Sequence, residues 1–183
     1  RLKERNGSEK GKVIVINYPQ VTTMAERVQG FNEVVSQYKE IEIIEKSVVE
    51  LTPESAQALM DDLIMTYPEG SFDLVFAANG TTGVGANAVT ESANRTDYEI
   101  IAVDDDPEFV EALQKDGAFK GMVVQDGIDI GAKGMELCIA AAEGKEAEEK
   151  IVATQLSLVT NENLKEYSIS NLNKYKKPIL FMS

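Results

Sequence analysis

The sequence contains no histidine and a single cysteine, Cys138, among its 183 residues. Without histidine the chain lacks the commonest general base at neutral pH and the commonest transition-metal ligand. No Ser–His or Cys–His pair can form, which excludes the usual hydrolase arrangements. Because Cys138 lies in the apolar run 137–140, we interpret it as a core residue rather than a nucleophile. A single cysteine leaves the compartment open, because secreted proteins need not contain disulfides.

Basic side chains are scarce compared with acidic ones, at 18 Lys and Arg against 31 Asp and Glu, a net charge of −13. This balance disfavours nucleic acid and anionic membrane surfaces as partners, because both require clustered Lys and Arg. There is also no run of about 18 apolar residues, so we expect no membrane-spanning helix. The length and the 43% hydrophobic content suit one globular domain with a core.

Strand-like and helix-like segments alternate along the chain. The predicted strands are Lys12–Asn17, Ile41–Val48, Leu74–Ala78, Ile100–Val103, Lys120–Val124 and Ile151–Val159. The predicted helices are Thr22–Tyr38, Pro53–Tyr67, Thr82–Asn94, Pro107–Lys115 and Ile128–Glu143. The alternation predicts an α/β fold, a three-layer, doubly wound and mostly parallel sheet between helices.

Residues with capping chemistry precede or begin three of the predicted helices. Thr23 and Glu26 fit a capping box, in which each side chain accepts a hydrogen bond from the other residue's backbone N–H. Thr52 and Asp106 each stand directly before a proline, and proline suits the first turn of a helix.

Polar residues follow the predicted strands, and ligands of parallel sheets bind beyond the carboxyl ends of the strands. Asn79, Asp104 and Gln125 each come directly after a strand, and Arg27 lies on the first turns of the first helix. Their carboxylate, amide and guanidinium groups suit sugar hydroxyls, which both donate and accept hydrogen bonds. Taken singly, turn and cap roles explain Asn79 and the run 104–106. Four polar groups on one rim favour a binding site.

Two other patterns in these loops carry less weight. The glycines of Asn79–Gly85 are spaced G-x-x-G-x-G with no following G-K-[ST], so the segment does not match a nucleotide-binding loop. Asp104–Asp106 offers oxygen ligands for Mg²⁺. However, adjacent strand residues point to opposite faces, so the three carboxylates are not expected to converge. We therefore predict neither a metal nor a cofactor.

Short motifs occur in a specific order from about Lys12 to Asn163. They are Arg27-x-x-Gly30-Phe31, the helix ending at Tyr67-Pro68, Val75-Phe76-Ala77-Ala78-Asn79, Ile100-x-x-Val103-Asp104, Val124-Gln125-Asp126 with Ile130-Gly131, and Leu158-Val159-Thr160-x-x-Asn163. This series resembles the sugar-binding periplasmic proteins of the ribose-binding type, the type I periplasmic-binding fold that the LacI-type repressor core shares. In that family two lobes close on a sugar and no reaction is catalysed.

The resemblance implies roles for individual residues. Arg27, Asn79, Asp104 and Gln125 fall on positions where the second lobe hydrogen-bonds sugar hydroxyls. Leu51 falls near the position from which the family often stacks an aromatic ring on the sugar.

The resemblance also implies a domain organisation. Residues 1–167 correspond to the C-terminal lobe and 168–183 to a tail, and the helix Ile128–Glu143 belongs to the other lobe in the family. The chain starts at Arg1 rather than Met, so we expect a fragment or a processed chain with half of a binding site and weak affinity. The apolar side of the helix must be buried, so we expect it to pack on a neighbouring chain, as in a homodimer, or across its own lobe.

The function implied is that of an extracytoplasmic receptor for a small polar solute, a sugar, that delivers it to the membrane permease of an ABC-type importer. The alternative is the ligand-sensing domain of a LacI-like cytoplasmic regulator or of a membrane sensor. The basic and then apolar tail Lys174–Met182 favours the sensor. An enzyme is the weakest option, although composition alone does not exclude a carboxylate-pair hydrolase.

Overall fold

The computed structural model describes residues 2–146 and 152–167, so the sequence tail 168–183 and Ile151 lie outside the description. The strands are β1 (Gly11–Asn17), β2 (Ile41–Ser47), β3 (Leu74–Ala77), β4 (Glu99–Val103), β5 (Phe119–Gln125) and β6 (Leu156–Val159). The helices are α1 (Leu2–Asn6), α2 (Thr22–Val35), α3 (Pro53–Thr66), α4 (Gly80–Ser92), α5 (Pro107–Lys115) and α6 (Gly127–Ala142). Apart from the short α1, each element lies within a few residues of its predicted position.

The six strands form one sheet in the order β2-β1-β3-β4-β5-β6. Strands β1 to β5 pair in parallel, whereas β6 pairs with β5 in the antiparallel direction. This arrangement confirms the predicted α/β fold with a mostly parallel sheet. The last strand is shorter than expected and begins at Leu156 rather than Ile151. Gln155, just before this strand, does not pair with β5 as a strand residue. Its backbone N–H donates instead to Asp129 Oδ2 in the first turn of α6, at 3.3 Å.

Alternating side chains of the central strands fill two separate cores. On β1, Ile14 and Ile16 belong to one cluster while Val13 and Val15 belong to the other. Helices α3, α4 and α5 cover the first face, and α2 covers the second. Because both faces of the central strands are buried, these strands are continuous apolar runs in the sequence.

The capping predictions have different outcomes. Thr52 is confirmed as a cap, because its hydroxyl accepts from Ser55 N at 3.1 Å. The capping box of Thr23 and Glu26 is wrong: α2 begins at Thr22 after an extended Val21, and no side chain caps it. Thr23 is thus already inside the first turn. Asp106 does occupy the N-cap position of α5, but its carboxylate makes no capping bond.

Helix α6 has no buried residue. Ile128, Met135 and Ile139 are each more than half exposed, and Cys138 is exposed as well. The core assignment of Cys138 is therefore wrong, as is the expectation that the helix lies across its own lobe. The helix leaves the sheet after its Asp126 cap, and packing on a neighbouring chain stays a prediction. None of the helices in residues 2–146 and 152–167 combines the length and apolar character needed to cross a bilayer.

Two helical glycines should respond in opposite ways to the same substitution. A Cβ at Gly85 would lie 2.5 Å from the Pro53 carbonyl oxygen and 2.6 Å from the Ala56 Cβ, because α4 packs closely on α3. A Cβ at Gly131 in α6 would meet nothing within 4 Å. Gly85→Ala should therefore destabilise the fold by about 1–3 kcal/mol. Gly131→Ala should leave stability unchanged or raise it by up to about 1 kcal/mol.

Urea unfolding of both variants and the parent chain measures this difference. Equal midpoints for the two variants would show that the close approach of α3 and α4 does not constrain position 85.

Candidate functional site

Three of the predicted site residues meet at the carboxyl edge of the sheet. Asp104 follows β4, Gln125 ends β5, and Arg27 reaches the same edge from α2. Asp104 Oδ1 accepts from Arg27 Nη2 at 3.2 Å and from Gln125 Nε2 at 2.8 Å. The Arg27 and Asp104 side chains are 22% and 32% exposed, so the ion pair remains reachable by a solute. The sequence prediction that these side chains share one rim is confirmed for these three.

Backbone groups fix the carboxylate of Asp104 from the other side. Its Oδ2 accepts from the Gly80 N–H at 3.1 Å, and its own N–H donates to the Val123 carbonyl at 2.9 Å. The residue has a φ of 83°, the left-handed region that an L side chain enters at a cost. A strained backbone held by several bonds at once is a mark of a pre-organised site. Arg27 is held too, because Nη1 donates to the Ala78 carbonyl at 3.0 Å.

Asn79 and Leu51 lie outside this hydrogen-bonded group. Asn79 Oδ1 caps α4, since it accepts from the Thr82 N–H at 3.0 Å and the Thr82 hydroxyl at 2.9 Å. The capping role predicted for Asn79 is therefore confirmed for its side-chain oxygen. The Nδ2 group makes no hydrogen bond within the described part of the chain and can still donate to a solute. Leu51 is half-buried and packs against the core face that α2 covers.

Two of the three consecutive aspartates meet at Gly80, and the third turns away. Asp104 Oδ2 accepts from the Gly80 N–H at 3.1 Å and Asp106 lies against Gly80, whereas Asp105 accepts from the Tyr167 hydroxyl at 2.8 Å. They do not converge on one ion, as the alternation of side chains along the chain predicted. Across residues 2–146 and 152–167, no group of three Asp, Glu or Cys side chains is placed to hold a metal.

Gly80 and Asp106 belong to this edge, although the sequence argument did not select them. A Cβ at Gly80 would overlap the Asp106 carboxylate, so the absence of a side chain there makes room for it. Burial, followed by the negative charges of Asp104, Glu108 and Asp105, raises the pKa of the Asp106 carboxyl. The available signal was a glycine directly after Asn79 at a helix start.

An open depression of about 660 Å³ lies beside this edge rather than over Arg27. It sits where the chain leaves β5 for α6 and returns to β6. Asp105, Gln125, Gln155, Asn163 and Tyr167 are among its lining residues. Gln125 therefore lies between the Asp104 carboxylate and the crossover to α6.

Comparison with known proteins identifies the family. The family described as "Periplasmic binding protein domain" matches residues 1–146. The chain belongs to this family. The periplasmic binding proteins of this family are not enzymes, in agreement with the absence of a catalytic arrangement predicted from the sequence.

Relatives within the family are distant and longer. The ribose import binding protein RbsB of Salmonella typhimurium is 26% identical over 147 residues, which are 80% of this chain and 48% of that protein. The D-apiose import binding protein of Actinobacillus succinogenes is 23% identical over 122 residues, 66% of this chain and 39% of the relative. The chain thus spans about half the length, or less, of the curated relatives it matches.

Solved structures of the family share the fold. A carbohydrate transporter solute binding protein from Agrobacterium radiobacter, in complex with D-arabinose, matches with a TM-score of 0.82 and 28% identity. The match covers 93% of this chain and 58% of that one. The periplasmic binding protein chain is therefore a distant homologue of sugar-binding components of ABC importers.

Proposed function

We propose that this chain is the C-terminal lobe of a solute receptor and that it binds a sugar at the edge formed by Arg27, Asp104 and Gln125. The observation that carries the proposal is the Asp104 carboxylate, oriented by a guanidinium, an amide and a backbone N–H. A carboxylate has about four acceptor positions, and three are occupied, so it can still accept from a sugar hydroxyl. Arg27 and Gln125 keep further N–H groups that can donate to sugar oxygens.

Asn79 and Leu51 complete the proposed site at its margin. The Nδ2 group of Asn79 supplies a neutral donor, while Leu51 supplies an apolar surface for the C–H face of a sugar ring. This division suits a pyranose or furanose, which has hydroxyls at its rim and apolar faces.

Helix α6 belongs, in this proposal, to the second lobe that closes over the site. Its exposed Ile128, Met135 and Ile139 need a partner surface, because an apolar helix gains most of its stability from packing. When this chain is studied by itself, a second copy can supply the surface and give a homodimer. Ligand closure between two lobes normally buries the solute, so one lobe alone binds weakly.

The partners follow from the same proposal. A receptor of this kind works outside the cytoplasm and passes its sugar to a membrane permease, as the homologous import binding proteins suggest. A LacI-like regulator or a membrane sensor would use the same sugar edge with a different partner. The tail 168–183, which motivated the sensor alternative, lies outside the described residues.

Titration of the ¹⁵N-labelled chain with D-ribose and D-arabinose tests the sugar site. We expect the amide signals of Gly80, Asp104 and Gln125 to shift with an apparent Kd on the order of millimolar, about −4 kcal/mol. Absence of shifts at this edge with both sugars would refute the site. A sub-micromolar Kd would instead contradict the half-site, because one lobe would then suffice for tight binding.

A further inference from the structure

The proposed site contains one more acidic group than its single arginine balances. We propose that Asp106 is a specificity-determining residue of this edge and that it makes the site select neutral or amine-bearing sugars over sugars that carry a carboxylate. This inference rests on the proposed function, since it concerns the charge of the solute bound at the same edge.

The position of Asp106 is set by Gly80. As the N-cap residue of α5, Asp106 would ordinarily bond to the first N–H groups of that helix, yet its carboxylate makes no such bond. It lies instead in the space where any other residue at position 80 would place its Cβ. Asp104 binds the N–H of the same Gly80 at 3.1 Å. Two carboxylates therefore flank the first residue of α4.

The arginine of this edge is already paired. Arg27 binds Asp104, and within residues 2–146 and 152–167 no Lys or Arg forms an ion pair with Asp106. The start of α4 attracts anions through its free N–H groups. Here Asp104 occupies the N–H of Gly80 and Asn79 occupies that of Thr82. Among the described residues, only the Thr81 N–H of this first turn has no acceptor, so an incoming anion finds one backbone donor here rather than the usual several.

Two other cations lie near the strand ends: Lys133 on α6 is bonded to Asp129 Oδ2 at 2.8 Å, and Lys46 is too far away to compensate. Lys46 lies near the end of β2, which is separated from β4 by β1 and β3. Three strand spacings of about 4.8 Å place the two strands about 14 Å apart. This separation exceeds the Debye length of about 8 Å at physiological salt, so solvent screens the charge of Lys46 at the site. A carboxylate on the solute would thus face an uncompensated negative charge.

The inference is tested with two matched series of sugars on the ¹⁵N-labelled chain. One consists of D-glucose, D-glucosamine and sodium D-glucuronate, and the other of D-galactose, D-galactosamine and sodium D-galacturonate. Within a series the ring configuration is constant and the charge changes. We expect each uronate to shift the Gly80 and Asp104 amide signals with an affinity at least about tenfold below that of its neutral sugar, a difference of about 1.4 kcal/mol. The amino sugars should bind at least as well as the neutral ones.

Two variants distinguish the effect of the Asp106 charge on sugar selectivity from the effect of nearby surface charge in general. Asp106→Asn keeps the size of the side chain and removes its charge, so the affinity ratio between neutral sugar and uronate should approach one. Asp105→Asn removes the neighbouring charge, whose carboxylate turns to Tyr167 at 2.8 Å, and should change the ratio much less than Asp106→Asn does.

The outcomes distinguish this inference from the proposed function. If the neutral sugars shift the edge and the uronates bind equally well in the parent chain, the charge selection is refuted while the sugar site stands. An unchanged ratio in Asp106→Asn would refute the role of Asp106. If no sugar of either series shifts these signals, the inference falls together with the proposed site for these sugars.

Discussion

Replacing Asp104 with asparagine is expected to weaken sugar binding at least tenfold while the chain remains folded. The carboxylate accepts from Arg27, Gln125 and Gly80 through both of its oxygens. An asparagine has one acceptor oxygen, so its NH₂ group would face either the Gly80 N–H or the cationic side chain. A charge-assisted hydrogen bond from a sugar hydroxyl to this carboxylate is worth about 1.5–3 kcal/mol, so its loss lowers the affinity about 10- to 150-fold.

Stability should fall by no more than about 1 kcal/mol in this variant, because the lost Arg27–Asp104 ion pair is partly exposed to solvent. Asparagine also adopts the left-handed conformation of position 104 at least as easily as aspartate. The amide-shift titration and a urea unfolding curve measure the two effects separately. Asp105→Asn is the matched control, since it removes a neighbouring carboxylate whose partner is Tyr167. Unchanged binding in Asp104→Asn, or an equal loss in Asp105→Asn, would contradict the central role of Asp104.

Replacing Asp97 with alanine is expected to destabilise the fold by about 3 kcal/mol, because breaking a buried ion pair leaves an uncompensated charge. Arg95 is 8% exposed, and its Nε and Nη2 groups donate to Asp97 at 2.6 and 2.8 Å. Its guanidinium also lies 5.3 Å from the Tyr98 ring centroid. The variant additionally removes the acceptor for the Gly70 N–H. Binding should be unaffected, because this pair precedes β4, at the opposite edge from Asp104.

The same pair predicts a pH dependence with a definite sign. The hydrogen bond from Arg95 lowers the pKa of Asp97 from 3.8 to about 2, with a further contribution from the Gly70 N–H. A carboxyl with a lower pKa in the folded state contributes stability above its unfolded pKa and loses it as the pH falls. The contribution is thus complete above about pH 4 and disappears between about pH 4 and pH 2.

We expect this pH-dependent part to be on the order of 1–2 kcal/mol, after allowance for solvent screening of the pair. Urea unfolding of the parent chain and Asp97→Ala at pH 7, 4 and 2.5 measures it. The gap between the two proteins should narrow as the pH falls from 4 to 2.5. A constant gap would show that ionisation of Asp97 is not the source of its stabilising effect.

The α/β fold was predictable from the sequence because each strand and helix carries its own local signal. The continuous apolar run of β3 and the spacing of Met24, Val28 and Phe31 on α2 follow from burial on a sheet face. The clustering of Arg27, Asp104 and Gln125 was predictable too, because parallel strands all end at one edge. No comparable rule predicts whether a polar side chain will bond to the backbone of its own loop or point into a site. The sequence therefore left open whether Asn79 would cap α4 or face a solute.

Tertiary structure alone determined the surroundings of α6 and of Asp106. An apolar helical pattern indicates that one face of the helix packs against something, but it does not specify which surface covers that face. Cys138 was therefore predicted to lie in the core, whereas it is exposed in the structure. The position of the Asp106 carboxylate depends on the missing Cβ of Gly80, 26 positions earlier in the chain. The sequence by itself determined the order of elements and the edge where polar groups gather, because these depend on local periodicity and strand direction. Contacts between distant residues decided which groups at that edge are paired and which charge is left over.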